Sequence, residues 1–157
     1  MENVQEYFTS TDDNRTVTFK QRMDGSGWSS VKALCKSSEN SSIRLKFTMA
    51  NNNVWFGICN ENFKIGKIGT YDIDSWGWRC NNSEAHHGVS PSTPLRLHAL
   101  GDMTGKEVIM EYDGRNKRLV VTCEGNDWTH TDPTFPTEGF FVFSLSHPTH
   151  KVSIHPN

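Results

Sequence analysis

The stretch Ile43-Arg44-Leu45-Lys46-Phe47-Thr48-Met49 alternates apolar and polar side chains without interruption. Successive side chains of a β-strand point to opposite faces of the sheet, so this alternation predicts a strand with one face in a core and the other in solvent. The same period of two recurs along most of the chain. Apolar residues nowhere keep helical spacing for three turns, although residues 4–8 could form one short turn. The sequence therefore predicts an all-β protein.

The strands predicted around this stretch are short and are separated by turn-forming residues. Val108 to Tyr112 leads through a turn signal at 113–116 into Leu119 to Cys123, which predicts a hairpin. Gly139 to Leu145 is apolar on both faces, as a central strand is, and 151–155 forms the last strand. Further strand-like alternation occurs at 17–19, 31–35 and 95–99, and turn residues cluster at 24–27, 51–53, 66–69, 91–94 and 133–136. Many short antiparallel strands of this kind form two packed sheets or a barrel, and we expect residues 1–157 to form a single domain.

Composition excludes several classes of function. The net charge is -2 and no basic cluster is present, so nucleic acid is not an expected partner. No apolar run approaches the roughly 20 residues that a membrane-spanning helix needs. The first eight residues lack the basic and apolar regions of a signal peptide. We therefore expect a cytosolic or nuclear domain, with the cytoplasm as the first choice, that does not bind membranes. We also expect the domain to be monomeric.

The chain has four cysteines, and none of them forms a Cys-x-x-Cys pair. Each lies in or beside an apolar segment, as buried free thiols often do. Free core thiols are therefore the first interpretation, with disulfides as an alternative. A metal site is the least favoured, because zinc sites usually draw on close pairs of cysteines. The four are Cys35, Cys59, Cys80 and Cys123.

Several short motifs between residues 43 and 155 together resemble the SPRY domain family. Residues 54–61, Val-Trp-Phe-Gly-Ile-Cys-Asn-Glu, are similar to the family's "vGva" strand. The run Ser75-Trp76-Gly77-Trp78, followed by His86-His87-Gly88, is similar to its "SWGW…hnG" signature. Gly101-Asp102 before a hydrophobic strand, the turn at 123–126 and residues 140–144 follow in the family's order. The likeness is greatest to SPRY domains associated with SOCS-box or F-box proteins, although the "YWEV" strand is replaced here by 43–49.

The resemblance implies a bent antiparallel β-sandwich of the concanavalin-like jelly-roll type, which agrees with the periodicity. It also implies a non-enzymatic module that binds a protein or a short extended peptide, as a substrate-recruiting part of a larger ligase or scaffold. In the family the ligand lies on loops at one edge of the sandwich. The residues that these loops carry here, and that we expect to face solvent and contact the ligand, are Asn52, Asn53, Phe63, Lys64, Tyr71 and His147.

Tryptophan side chains suggest an alternative ligand. Trp76 and Trp78 share one face of a strand and are interpreted as core residues rather than a binding platform. Trp128 lies among the turn residues 125–130 and is a further contact candidate. A lectin-like sandwich that stacks a sugar on Trp128 or Tyr71 is therefore the alternative to peptide binding.

No residue pattern indicates catalysis, a metal site or a cofactor. Glu111-Tyr112-Asp113 resembles the alternating carboxylates of sandwich-fold glycosidases, but the third acidic position of that motif is Arg115. His147 and His150 flank Pro148, and no cysteine or carboxylate lies nearby in sequence to complete a metal site. The motifs of serine hydrolases, zinc proteases and phosphate-binding loops are also missing from the sequence.

Overall fold

The computed structural model describes the backbone of ten segments and the side chains of five. The backbone segments are 8–10, 16–19, 29–37, 40–49, 54–63, 74–79, 84–87, 90–96, 102–145 and 150–156, and the side chains are those at 41–47, 54–63, 74–78, 102–145 and 150–155. All regular elements in these segments are β-strands. Among the described residues, nothing resembles a helix that could cross a membrane. The strands are β1 (Phe8–Ser10), β2 (Thr16–Phe19), β3 (Ser29–Ser37), β4 (Asn40–Met49), β5 (Trp55–Cys59), β6 (Ser75–Arg79), β7 (Glu84–His87), β8 (Ser90–Arg96), β9 (Glu107–Asp113), β10 (Arg118–Cys123), β11 (Asn126–Thr131), β12 (Gly139–Leu145) and β13 (Lys151–Pro156).

The strands form two antiparallel sheets, as the alternation predicts. The first sheet has the order β1-β2-β13-β4-β9-β10-β11, and the second sheet has the order β3-β12-β5-β6-β7-β8. The predicted strands at 43–49, 108–112, 119–123, 139–145 and 151–155 are confirmed as β4, β9, β10, β12 and β13. The turn predicted at 91–94 is wrong, because these residues belong to β8. Strand β8 is at the edge of the second sheet, which is where proline is usually found in sheets.

The main core fills the space between the sheets. In the first sheet, the cross-strand partners Ile43, Met110 and Val121 point inward and are fully buried. In the second sheet, Trp76 and Trp78 are 5% and 1% exposed, so the interpretation of both as core residues is confirmed. The period of two in these strands therefore reflects one face turned towards the opposite sheet.

Two central strands of the second sheet, β5 and β12, are buried on both faces. Phe56 and Phe143 are cross-strand partners that point into the main core. The residues on the opposite face form a separate group, here called the outer cluster, made of Trp55, Cys59, Phe63 and Val142, with Phe140 packed against it. These two strands are therefore held by packing on both faces.

The pairing of β5 with β6 requires glycine at one cross-strand position. Gly57 lies directly opposite Gly77. A Cβ added to Gly57 would lie 2.6 Å from the Cα of Gly77, and one added to Gly77 would lie 2.7 Å from Cζ2 of Trp55. Both would also collide with a carbonyl oxygen of the neighbouring strand. The glycine pair thus makes room for the Trp55 ring and for the close approach of the strands.

The loop 132–138 between β11 and β12 joins the two sheets at one end of the sandwich. Its Phe135 is 2% exposed and makes edge-on contacts with Trp76 from the second sheet and with Tyr112 from the first. The Trp76 indole Nε1 donates to Thr134 Oγ1 at 2.9 Å, and the Tyr112 hydroxyl donates to the Pro136 carbonyl. This loop is therefore part of the core although it is not a strand.

Candidate functional site

The antiparallel register of β5 and β12 places the start of β5 beside the end of β12 at one end of the sandwich. Trp55 pairs with Ser144, so Val54 before β5 and Leu145 at the end of β12 are neighbours, and both are fully buried. The segments 50–53 and 146–149 continue from these anchors. We call this end of the sandwich the entry edge. Asn52, Asn53 and His147 belong to the two segments and lie outside the described residues.

A third loop, 102–106, borders the entry edge, and the sequence interpretation did not include it. Gly105 N donates to Phe47 O at 2.7 Å, and Phe47 N donates to Lys106 O at 2.9 Å, which fixes the loop beside the end of β4. The exposed Asp102 carboxylate accepts a 2.8 Å hydrogen bond from Thr104 N, and the hydrogen bonds from Thr104 lower its pKa. The loop 102–106 therefore places the negative charge of Asp102 beside the entry edge. The alternation of apolar and polar residues in the strands does not predict this charge.

The loop after β5 begins at the opposite end of that strand. Asn60 anchors it, because its N donates to the Asp74 carbonyl and its Nδ2 to Asp74 Oδ1, both at 2.9 Å. Phe63 N donates to Asn60 O at 3.3 Å. The Phe63 ring is 2% exposed and belongs to the outer cluster with Trp55 and Val142. The expectation that Phe63 faces solvent is therefore wrong: its apolar ring covers the outer face of β5.

The positions of these anchors divide the predicted contacts into two groups. Asn52, Asn53 and His147 belong to the segments next to the entry edge in sequence. Lys64 and Tyr71 belong to the segment between Phe63 and Asp74, and they too lie outside the described residues. The four residue steps of β5 separate its ends by about 13 Å. Tyr71 is three residues from Asp74, a reach of about 10 Å before the length of its side chain is added. A shared site at the entry edge is thus compatible with chain length, and it stays a prediction.

Trp128 lies on a strand rather than in a turn. It is part of β11 and pairs with Val121, whose side chain points into the main core. The Trp128 ring is partly buried against that core. The interpretation of residues 125–130 as a turn is wrong beyond Gly125, because β11 begins at Asn126. Only part of the Trp128 ring is accessible to a ligand.

One buried titratable side chain, His130, packs beside the loop 132–138. It is 3% exposed, and its ring centroid lies 5.3 Å from that of Phe135 and 5.9 Å from that of Trp78. Its Nε2 lies 3.9 Å from Asp132 Oδ2, while its Nδ1 is buried and without a hydrogen-bond partner. Burial lowers the pKa of His130, and Asp132 opposes this effect. Its contacts identify it as a packing residue.

The described residues contain free thiols and no metal cluster. Cys59 and Cys123 are free and buried, as predicted, and burial raises the pKa of Cys123. The side chains of Cys35 and Cys80 lie outside the described residues. Within the described segments, no three His, Cys, Asp or Glu side chains are placed so that they could hold a metal ion.

Comparison of the structure with solved structures identifies the fold. The SPRY domain of human HERC1 has a TM-score of 0.76 at 13% identity, over 95% of this chain and 92% of that one. A human SPRY domain gives a TM-score of 0.72 at 11% identity, over 95% of this chain and 94% of that one. The TRIM65 PSpry domain gives 0.65 at 12% identity, over 95% of this chain and 85% of that one.

Similarity in sequence alone does not reach the level of a match. No protein-family model matches the chain, and no curated protein matches it. A structure of stonustoxin has a TM-score of 0.66 at 15% identity, and it aligns with 95% of this chain but only 25% of the toxin chain. The resemblance stated from the motifs is confirmed by structure: the chain has the bent β-sandwich fold of SPRY domains.

Proposed function

We propose that the chain is a protein-binding module that captures a short extended peptide at the entry edge. The observation that carries the proposal is the register of Trp55 with Ser144, which makes Val54 and Leu145, the residues next to the segments 50–53 and 146–149 in sequence, neighbours. Binding residues collect on loops that a rigid scaffold positions. The scaffold here is β5 and β12, whose residues are buried on both faces.

The composition of the segments suits recognition of an extended chain. Asn52 and Asn53 supply amide donors and acceptors, and His147 supplies an imidazole. Such groups fix the register of a peptide backbone, while a few apolar contacts supply affinity. Tyr71 is our candidate for an aromatic contact, because the reach of about 10 Å from Asp74, with the length of the side chain added, is enough to approach the entry edge from the other end of β5. Phe63 is not proposed as a contact, since its ring is buried in the outer cluster.

Selection from a peptide display library, followed by calorimetry of the selected peptide, tests the proposal. We expect His147→Ala and Tyr71→Ala each to weaken binding by about tenfold or more, because a few contacts dominate most interfaces. His155→Ala is the matched control for His147→Ala, since His155 is exposed near the end of β13 that lies away from the entry edge. Asn62→Ala, at the opposite end of β5, is the control for Asn52→Ala and Asn53→Ala.

Two results would contradict the assignment of the edge. One is unchanged affinity in every loop variant, with binding lost in Trp128→Ala. The other is equal weakening by His155→Ala and His147→Ala. A glycan array run beside the peptide library tests the lectin-like alternative, for which the partly buried ring of Trp128 is an unfavourable platform.

The finer role that we propose is recruitment of a substrate to a larger ligase or scaffold in the cytoplasm. Cys59 and Cys123 are buried free cysteines, a common form of cysteine in cytosolic proteins. We assign no catalysis to the chain, since the buried His130 and Tyr112 are engaged in packing around Phe135. Copurification of a ligase subunit with the full-length protein, lost in His147→Ala, is the test of this role.

A further inference from the structure

The outer face of the first sheet carries a cavity that the proposed peptide site does not use. The cavity has a volume of about 390 Å³ and lies across β4, β9 and β10. Its lining includes Ser42, Glu111 and Val120, which are direct cross-strand neighbours on the outer face. The cavity lies beside the turn 113–117, at the end of the sandwich opposite the entry edge. It is therefore a separate surface.

Two opposite charges at this cavity, those of Arg118 and Glu111, are not joined in an ion pair. Arg118 pairs in register with Asp113 and lies diagonal to Glu111 across β9 and β10. Neighbours in such positions usually interact. Among the described residues, however, the side chains of Arg118 and Glu111 form no hydrogen bond and no ion pair; the charge of Arg118 acts on Asp113 only at longer range, where it helps to lower the pKa of that carboxyl. A guanidinium donor and a carboxylate acceptor are thus both left open to a ligand.

The third charged side chain, Asp113, is engaged in the turn. Its Oδ1 accepts from Arg115 N and from Asn116 N, both at 3.1 Å, and its Oδ2 accepts from Asn116 Nδ2 at 2.6 Å. These hydrogen bonds from Asn116 lower the pKa of Asp113. Hydrolysis of a glycoside needs a carboxylic acid whose pKa is raised, so Asp113 is unsuited to that role. The cavity can bind, but these carboxylates do not form a glycosidase pair.

The charges at the cavity decide which ligand fits. An anion would be repelled by Glu111 and Asp113. A simple cation would be attracted by these two carboxylates, but it offers no acceptor for the Arg118 guanidinium. An apolar molecule would find little besides Val120 to contact, whereas ordinary ligand pockets are mostly apolar. A neutral ligand with adjacent hydroxyls can donate to Glu111 and accept from Arg118. Both hydrogen bonds would be charge-assisted and therefore strong.

We propose that this cavity binds one sugar ring through Glu111 and Arg118, with Ser42 and Val120 at its floor. The site is distinct from Trp128 and Tyr71, the residues that the sequence suggests for sugar stacking. It also does not depend on the peptide function, because it lies at the other end of the sandwich.

Titration of the isotope-labelled full-length protein with methyl glycosides of glucose, galactose and mannose tests the proposal. We expect at least one glycoside to shift the backbone amides of Ser42, Glu111 and Val120 and the Nε–H of Arg118 in two-dimensional NMR spectra. Glu111→Gln and Arg118→Gln should each weaken binding by roughly tenfold or more, the effect of losing a hydrogen bond to a charged group. A second titration uses the free amino acids glycine and alanine, which are zwitterions that carry both charges.

Glu107→Gln is the matched control, because Glu107 is exposed on the same strand and pairs with Arg44 at 3.4 Å, away from the cavity. It should leave sugar affinity unchanged, and the melting temperature of Glu111→Gln should equal that of the parent, since Glu111 is exposed. The proposal is overturned if no glycoside shifts these amides, if only the zwitterions shift them, or if Glu107→Gln weakens binding as much as Glu111→Gln. Peptide affinity measured on the same variants separates failure of this site from failure of the entry edge.

Discussion

Substitution of Gly57 by alanine tests the central architecture of the second sheet. The added methyl group would lie 2.6 Å from the Cα of Gly77, whereas carbon atoms in contact are about 3.5–4.0 Å apart. Strands β5 and β6 would have to separate by about 1 Å, which takes their hydrogen bonds beyond normal length. Losing two such bonds at about 1 kcal/mol each, with packing strain of about 1–3 kcal/mol, gives a total cost of about 3–5 kcal/mol.

Urea unfolding followed by circular dichroism measures this cost, and Gly105→Ala provides the control. Gly105 has a φ of 79° and no atom within 4 Å of an added Cβ. Its replacement therefore meets only the strain of the left-handed conformation, about 1–2 kcal/mol. If Gly57→Ala unfolds at the same urea concentration as Gly105→Ala, the close approach of β5 and β6 is not what requires glycine.

Three further perturbations test other parts of the fold. Burial lowers the pKa of His130, so the unfolded state binds a proton on this imidazole more tightly than the folded state does. The free energy of unfolding should keep its full value above the free imidazole pKa of about 6.5, and it should fall as the pH drops below that value. Urea unfolding from neutral to mildly acidic pH should show this slope, and His130→Phe should flatten it. Glu124 has a φ of 51° in the two-residue turn with Gly125, so Glu124→Asn should stabilise the protein by about 0.5–1 kcal/mol; an unchanged or lower melting temperature contradicts this reasoning. Cys59 and Cys123 should resist a thiol reagent in the native protein, and all four cysteines should react after denaturation without reductant; two or fewer reactive thiols would indicate disulfides.

Most strands that the sequence predicts have a clear difference between their two faces; the exception is 139–145, which its continuous apolar run indicates. Residues 43–47 and 108–112 alternate because one face packs in the main core while the other is more exposed. Strand β11 was missed because Asn126 to Thr131 is polar almost throughout, as suits an edge strand whose outer face and outer edge are in solvent. Its two inward side chains, Trp128 and His130, are too few to set a period.

The candidate site was less predictable because it depends on contacts between distant segments. The polar neighbours of Phe63 in its loop predict an exposed side chain, but the ring is buried against Trp55 and Val142 in the outer cluster. No local pattern signals that both faces of β5 are covered. The nearness of Val54 to Leu145 likewise follows from the pairing of Trp55 with Ser144, which periodicity alone does not specify.

The two connections that flank β11 will respond very differently to protein engineering. The turn at Glu124 and Gly125 is exposed and packs against nothing in the core, so a tag, a fluorophore or new chain termini can be introduced there. The segment 132–138 also lacks regular secondary structure, so a secondary-structure diagram would suggest it as an equally suitable insertion site. It nevertheless places Phe135 between Trp76 of the second sheet and Tyr112 of the first. Cutting or lengthening this segment would therefore disrupt the packing between the two sheets. Circular permutants opened at 124–125 should therefore fold, and those opened at 134–135 should not.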